Sequence, residues 1–330
     1  MRVSSLTHAA GPHRGSRRSF GRRAACRRAV RGPRIVPTWL SAALIGALFL
    51  PAIAQAQGVL LLAHGGREDW NREVLELASK VDAERPVEVA FGMANKRAIQ
   101  DAVNRLAERE VNGIVAVPLF ISSHSSVIRA TEYLLGKRDE APPQMEAFAR
   151  MSARRAEADG GTDPDFDWMT PIEMSLPVEL TGALDGHHMV AEILIARALE
   201  VSKTPANEVV VVVAHGPSSE EDNDLWLRNM SLLVERMRDA ASFSRIDHLT
   251  VRDDAPDDVK AKATQELRGV VERGTQEGKS VLIVPLLLSY GGIEKGIRER
   301  IEGLDYRMAS QGLLPDDRLA AWVLAQAGAR

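Results

Sequence analysis

Gly58-Val-Leu-Leu-Leu-Ala-His64-Gly-Gly66 reappears downstream as Val209-Val-Val-Val-Val-Ala-His215-Gly-Pro217. Each copy is an unbroken apolar run that ends in alanine, histidine and glycine. Each is followed by an acidic stretch bearing asparagine, Glu68-Asp69-Trp70-Asn71 in one case and Glu220-Glu221-Asp222-Asn223 in the other. A second pair of blocks repeats in the same order: Val115-Ala-Val-Pro118-Leu-Phe-Ile-Ser-Ser-His124 matches Leu282-Ile-Val-Pro285-Leu-Leu-Leu-Ser-Tyr-Gly291. Short continuous apolar runs suit strands covered on both faces, as in parallel sheets. Two matched blocks in one order argue for tandem duplication over chance likeness between apolar strands.

Between these strands the apolar period changes to that of a helix. Trp70, Val74, Leu77, Ala78 and Val81 share one helical face, as do Ile99, Ala102, Val103 and Leu106 after a strand at Val87–Phe91. Ile114–Ile121 reads as the third strand and Val127–Leu135 as the third helix. The second copy repeats the alternation, with strands at Val209–Val213, Ile246–Val251 and Val281–Leu288. Its helices run through Leu225–Leu233, Val259–Val271 and Ile293–Ile301. This pattern predicts an α/β protein of two similar doubly wound parallel-sheet lobes. The expected boundaries are 58–138 for the first lobe and 181–308 for the second. The polar stretch 139–180, with Pro142-Pro143 and a Gly160-Gly161 turn, reads as linker or lid, its Phe166 and Trp168 docking on the body. Residues 309–330 read as a tail carrying one amphipathic helix through Trp322 and Leu324.

The 330 residues carry a formal charge of −3, but the charges are segregated. Residues 1–57 hold ten arginines, no lysine and no acid, which leaves 32 basic against 45 acidic residues in the body, a net of −13. An acidic body with only 5% aromatic residues excludes a nucleic-acid partner, which needs clustered cations or stacking platforms. The leader reads as an export signal: basic residues, an apolar run from Trp39 to Leu50, then Ala54-Gln55-Ala56 as the small-x-small site, with cleavage after Ala56. The run is shorter than the ~20 residues that span a bilayer, so removal is favoured over a retained anchor and no stable membrane insertion is expected. Arg17-Arg18 resembles a twin-arginine signal, although the pair lies far from the apolar run. The expected location is periplasmic or secreted. The only cysteine, Cys26, falls in this leader, so a mature chain has no disulfide, thiolate nucleophile or sulfur ligand.

In a parallel sheet the loops at the carboxyl ends of the strands gather along one edge, where ligands bind. His64 follows the first strand and His124 the third, so both belong to that edge, and His215 holds the place of His64 in the second lobe. If the two edges face each other, three imidazoles line one cleft. Imidazole is neutral near pH 7, ligates divalent ions and accepts protons. Gly65 and Gly66 leave open backbone beside His64, and Ser122 and Ser123 flank His124; those serines can also serve the next helix as caps. His248 reads as structural, and His187-His188 as either ligand-facing or structural.

Both the strand–His–Gly start and the Val-Pro-Leu-Phe-Ile-Ser block resemble the class II tetrapyrrole chelatases, specifically the sirohydrochlorin cobalto-/ferrochelatase family. Leu184-Asp-Gly-His187-His-Met-Val-Ala-Glu-Ile-Leu194 resembles the segment that leads into a chelatase lobe. The resemblance covers roughly 58–136 and 181–303. It implies insertion of Co²⁺ or Fe²⁺, with Ni²⁺ or Zn²⁺ as further ions, into sirohydrochlorin or a related tetrapyrrole, without a nucleotide. His64 and His124 would be the catalytic pair. They would also serve, with His215, as metal ligands. Gly65, Gly66, Ser122, Ser123, Lys96 and Arg129 would meet the carboxylate-rich substrate, with Arg97 and Lys295 also near strand ends. The chain departs from the family at two places. Met93, and Arg252 in the second lobe, stand where the family carries glutamate after the second strand. Ser126 stands at the second family histidine, with His124 two residues early and Ile293 as its second-lobe counterpart. These departures, with export, keep a second reading open: a non-catalytic exported protein that binds metal or haem on the same fold. An interaction protein with a decayed site is a third. Oligomeric state is left open, because the duplication already supplies two lobes.

Overall fold

The computed structural model describes residues 57–161, 163 and 165–328; the leader and Cys26 lie outside them. Each lobe is built on a four-stranded, all-parallel sheet. In the first lobe β1 (Gly58–Ala63), β2 (Val87–Phe91), β3 (Ile114–Pro118) and β4 (Val178–Leu180) pair in the order β2-β1-β3-β4. In the second, β5 (Glu208–Ala214), β6 (Arg245–Thr250), β7 (Ser280–Leu286) and β8 (Arg307–Met308) pair as β6-β5-β7-β8. The registers match as well: Leu62 opposes Pro118 and Val213 opposes Pro285. Each proline lies beyond the last residue paired with the outer strand, Ala116 on β4 and Ile283 on β8, so its missing N–H interrupts no ladder. The two lobes thus share one strand order and matching registers.

The central strands β1 and β5 are buried along their whole length. Alternate side chains enter different cores. Leu60 and Leu62 point into a cluster with Ile99, Val103 and Leu106 of α2 (Lys96–Glu108) and Leu134 of α3 (Ser126–Leu134). Val209, Val211 and Val213 enter the equivalent cluster under α7 (Asp257–Gln276) and α8 (Ile293–Arg300). The opposite faces, including Leu61 and Val212, share one continuous core with α1 (Glu68–Asp82), α5 (His188–Val201), α6 (Glu220–Ala240) and α9 (Asp317–Gly328). Each fully buried valine or leucine contributes on the order of 2 kcal/mol.

The shared core is built by an exchange. α5, which follows the first sheet in sequence, packs on β7 and α6 of the second lobe, whereas α9, the last helix, returns to pack on α1 and β3 of the first. Arg197 on α5 is buried and ties this helix to the segment leading into α9, donating to Gly312 O at 2.8 Å and Pro315 O at 3.1 Å. At the far end of α9, Arg85 donates to Ala327 O at 3.1 Å. The segment read as a helical tail forms part of the first lobe's wall, where α9 packs on α1 and β3.

The stretch 139–180, read as linker or lid, carries ordered elements of the first lobe. α4 (Met145–Ala158) buries Met145, Phe148, Ala149 and Ser152, an i, i+3, i+4, i+7 stripe diluted by three arginines and three acids from Glu146 to Asp159. β4 closes the sheet's edge. The segment between them straps onto the start of α2. Arg97 lies 4.5 Å from the Phe166 ring and 5.2 Å from Trp168, and Lys96 Nζ donates to Asp167 O and Thr170 Oγ1 at 2.7 Å each. No helix among the described residues is long and apolar enough to cross a membrane.

Glu208, the first residue of β5, is the most deeply buried carboxylate in the ion pairs of the described residues. Burial alone would raise its pKa. The Ser202 hydroxyl, the Lys203 and Thr204 N–H groups and the Arg307 guanidinium, 2.6 Å away, outweigh that and hold it at about 2, against an ordinary 4.5. A depressed carboxylate stabilises the fold above its unfolded pKa and loses that contribution as pH falls through the folded one. Glu208→Gln should therefore cost about 3 kcal/mol at pH 7 by urea unfolding, and the gap from the parent should close between about pH 4.5 and pH 2. A gap that does not change with pH would show that the charge is not what stabilises this corner.

Candidate functional site

The sheet ladder runs to the foot of His64. Ala63 O accepts from Gly92 N at 2.9 Å and Leu62 O from Leu119 N at 2.8 Å, so the strand end is fixed from both sides. The chain then turns through Gly65 with φ +74°, where a Cβ would lie 3.2 Å from the Phe91 Cβ. Gly216, after His215, has φ +73° and would press a Cβ to 2.5 Å from the Thr250 Cβ. Glycine is required in both lobes because the turn crosses the end of the neighbouring strand. Asn71, the second-turn asparagine of the motif, accepts from Gly66 N at 2.8 Å and closes the loop.

The His64 ring is exposed. Its Nδ1 sits 2.7 Å from Gly65 O. A carbonyl only accepts, so Nδ1 is the donor in this contact, and in the neutral ring the lone pair for a ligand or a proton is then on Nε2. His124 is half-buried in the loop after β3. Its N–H donates to Ser122 Oγ at 3.1 Å and its carbonyl accepts from Trp226 Nε1 of α6 at 2.7 Å. Both histidines stand at the carboxyl edge of adjacent, paired strands.

The second lobe is organised differently. By register Arg252 occupies the place of Met93, since Ala214 opposes Thr250 as Ala63 opposes Phe91. Arg252 is buried at φ +55° and straps the loop after β5. Its N–H donates to His215 O at 2.8 Å, and its guanidinium to Pro217 O, Ser218 O and Glu220 at 2.6, 3.0 and 2.9 Å. The His215 Nε2 faces Asp254 Oδ2 at 3.5 Å. The three imidazoles do not form one ligand set. Among the described residues no group of three or more His, Cys, Asp or Glu is placed to hold a metal. His215 is tied to its own lobe because Arg252 and Asp254 hold its loop.

Several expected substrate contacts are committed elsewhere. Ser122 is buried and accepts from the His124 N–H. Ser123 donates to Asp185, through its N–H at 2.8 Å and its hydroxyl at 2.6 Å. Arg129 makes a two-pronged pair with Asp222 of α6 at 2.8 Å per contact, and Lys96 holds the strap. Of that set Gly66 is exposed and Gly65 half-exposed beside His64. His187 caps α5, accepting from Met189 N at 3.3 Å, and His248 lies in β6, 3.1 Å from Ser231 Oγ. Burial lowers the pKa of both, with His188 and Arg236 adding to the effect at His187 and Arg238 at His248. Trp226, Asp185 and the Arg252 strap carried no signal in the sequence, since their partners lie on other elements.

Residues 58–201 match the CbiX family model. The match begins with β1 and ends with α5, one lobe together with its exchanged helix. A sirohydrochlorin cobaltochelatase of Methanothermobacter thermautotrophicus is 30% identical over 82 residues, 24% of this chain and 57% of that protein. The chain thus spans little more than half the length of that relative. The solved structure of SirB from Bacillus subtilis with Fe³⁺ superposes with a TM-score of 0.54 at 16% identity, covering 82% of this chain and 96% of that one. The sequence likeness to the CbiX family is confined to residues 58–201, and the likeness to SirB is one of fold. In chelatase terms, the SirB likeness concerns the fold of both lobes, whereas the sequence match falls on the first. That lobe is also the one whose edge carries two histidines and an exposed imidazole.

Proposed function

We propose that the protein is a tetrapyrrole metal chelatase whose working edge belongs to the first lobe. The observation that carries this reading is the placement of His64 and His124 after adjacent strands, with His64 exposed and its Nδ1 engaged on Gly65 O. The substrates are a divalent ion, Co²⁺ or Fe²⁺, and sirohydrochlorin or a related open-edged tetrapyrrole. Insertion exchanges two pyrrole N–H protons for one M²⁺, so the site must deliver an ion and remove two protons. Imidazole does either at neutral pH. A metal that passes through as substrate needs only a transient hold, for which two imidazoles suffice alongside pyrrole nitrogens. The open Gly65-Gly66 backbone lets a flat macrocycle approach the strand ends. The second lobe closes the other side. With a leader cleaved after Ala56, this chemistry would take place outside the cytoplasm.

The test is metallation. Sirohydrochlorin and Co²⁺ are mixed with the purified protein and the absorbance change is followed against a protein-free control. The expected result is a rate well above the control that saturates with tetrapyrrole. Met93 and Arg252 at the positions where the family carries glutamate favour the alternative, a non-catalytic binder of metal or haem. A rate equal to the control, together with tight haem or Co²⁺ binding, would establish that alternative.

A further inference from the structure

One face of α6 grips the loop that carries His124. Asp222, Trp226 and Asn229 lie at i, i+4 and i+7 and therefore share a stripe. Trp226 Nε1 donates to the His124 carbonyl at 2.7 Å. Asn229 Nδ2 donates at 2.9 Å to Asp185 Oδ1, and the same carboxylate takes the Ser123 N–H and hydroxyl. Asp222 receives both guanidinium nitrogens of Arg129, one turn into α3. Asp222, Asn223 and Trp226 are all buried, so the grip is shielded from water.

The reverse arrangement is not built. Gly291 matches His124 by register, and a Cβ placed there would lie 3.3 Å from Trp70 Cδ1 of α1. A histidine at 291 would crowd that indole. The lobes have therefore divided the work, with imidazoles on one and a clamp on the other.

We propose that Trp226 is a positioning residue for His124: its indole N–H fixes the 124–125 peptide and thereby the direction of the imidazole. This rests on the reading of His124 as a working group of the proposed chelatase. Up to Ser123 the loop between β3 and α3 is held by the 183–185 segment, with Leu184 N and Asp185 N donating to Phe120 O and Ile121 O at 3.1 and 2.9 Å, whereas the His124 carbonyl is held by Trp226 across the lobes. A group displaced by even an ångström loses much of its advantage in catalysis.

The experiment uses the full chain and three variants: Trp226→Phe, which keeps an aromatic ring and removes the donor; Trp70→Phe, an equally buried indole at 9% exposure, as packing control; and His124→Gln. Metallation of sirohydrochlorin by Co²⁺ is measured across pH. The His124 ring resonance, assigned by its loss in His124→Gln, is followed during pH and Co²⁺ titrations. The proposal expects Trp226→Phe to slow metallation about five-fold, in keeping with loss of one hydrogen bond to a working group. It also expects a shifted His124 titration and a weaker Co²⁺-induced change at that ring, with Trp70→Phe matching the parent in all three. If His124→Gln is inactive while Trp226→Phe matches the parent in rate, pH profile and His124 titration, the positioning role is overturned and the histidine reading stands. If His124→Gln metallates at the parent rate, the histidine reading falls and the positioning role falls with it.

Discussion

Trp322→Ala should lower the unfolding free energy by about 4 kcal/mol, whereas Trp322→Phe should cost less than about 1.5 kcal/mol. Trp322 lies on the exchanged helix α9, 3% exposed, in the core shared by both lobes. Truncation to alanine opens a cavity where α9 meets α1 and β3, and these elements cannot collapse into it without breaking the sheet. The phenylalanine variant is milder for a second reason: the Trp322 Nε1 is buried without a hydrogen-bond partner, so removing it relieves a desolvated donor. Urea unfolding of the two variants against the parent checks both figures. Hydrogen exchange adds a spatial check, because α1 and β3 should lose protection before β6 and α7, although α9 follows the second lobe in sequence. Equal loss in both lobes, or a cost for alanine below about 1 kcal/mol, would mean that α9 only decorates the surface.

His64→Ala and His124→Ala should each slow metallation at least about a hundred-fold, while His215→Ala should stay within about three-fold of the parent. The contrast follows from local geometry. His64 is exposed with Nδ1 engaged on Gly65 O, and His124 lies in the loop that follows the adjacent strand of the same sheet. His215 faces Asp254, and its loop is held by four bonds from Arg252. Rates measured with sirohydrochlorin and Co²⁺, with thermal unfolding as a control for folding, decide the matter. A His215 variant as slow as the His64 variant would restore a symmetric site formed by both lobes.

The two parallel sheets were legible because the information is local. Each central strand is buried on both faces and therefore reads as an unbroken apolar run. Each post-strand turn needs glycine because of the adjacent strand end. His64 at the sheet edge was likewise legible, since a residue that ends a parallel strand is placed by the strand itself, whereas His124 lies six residues past β3 in a loop held by other elements. α4 was missed because its buried stripe is interrupted by charges on the opposite face, which lowered the apolar content without changing the period. The serines beside His124 were read as ligand contacts, yet a hydroxyl near a site has the same sequence whether it faces substrate or Asp185.

By itself, the sequence determined three strands of each sheet and the helices between them, that two like blocks recur in one order, and that His64 stands at the edge of the first sheet. Tertiary structure alone decided that α5 and α9 trade lobes, that Arg252 closes the second edge, and that Asp222, Trp226 and Asn229 hold the His124 loop. The division has a physical cause. Burial and backbone period act between neighbours along the chain and leave a repeating mark, whereas a hydrogen bond between Trp226 and His124 joins residues 102 positions apart and constrains only two of them.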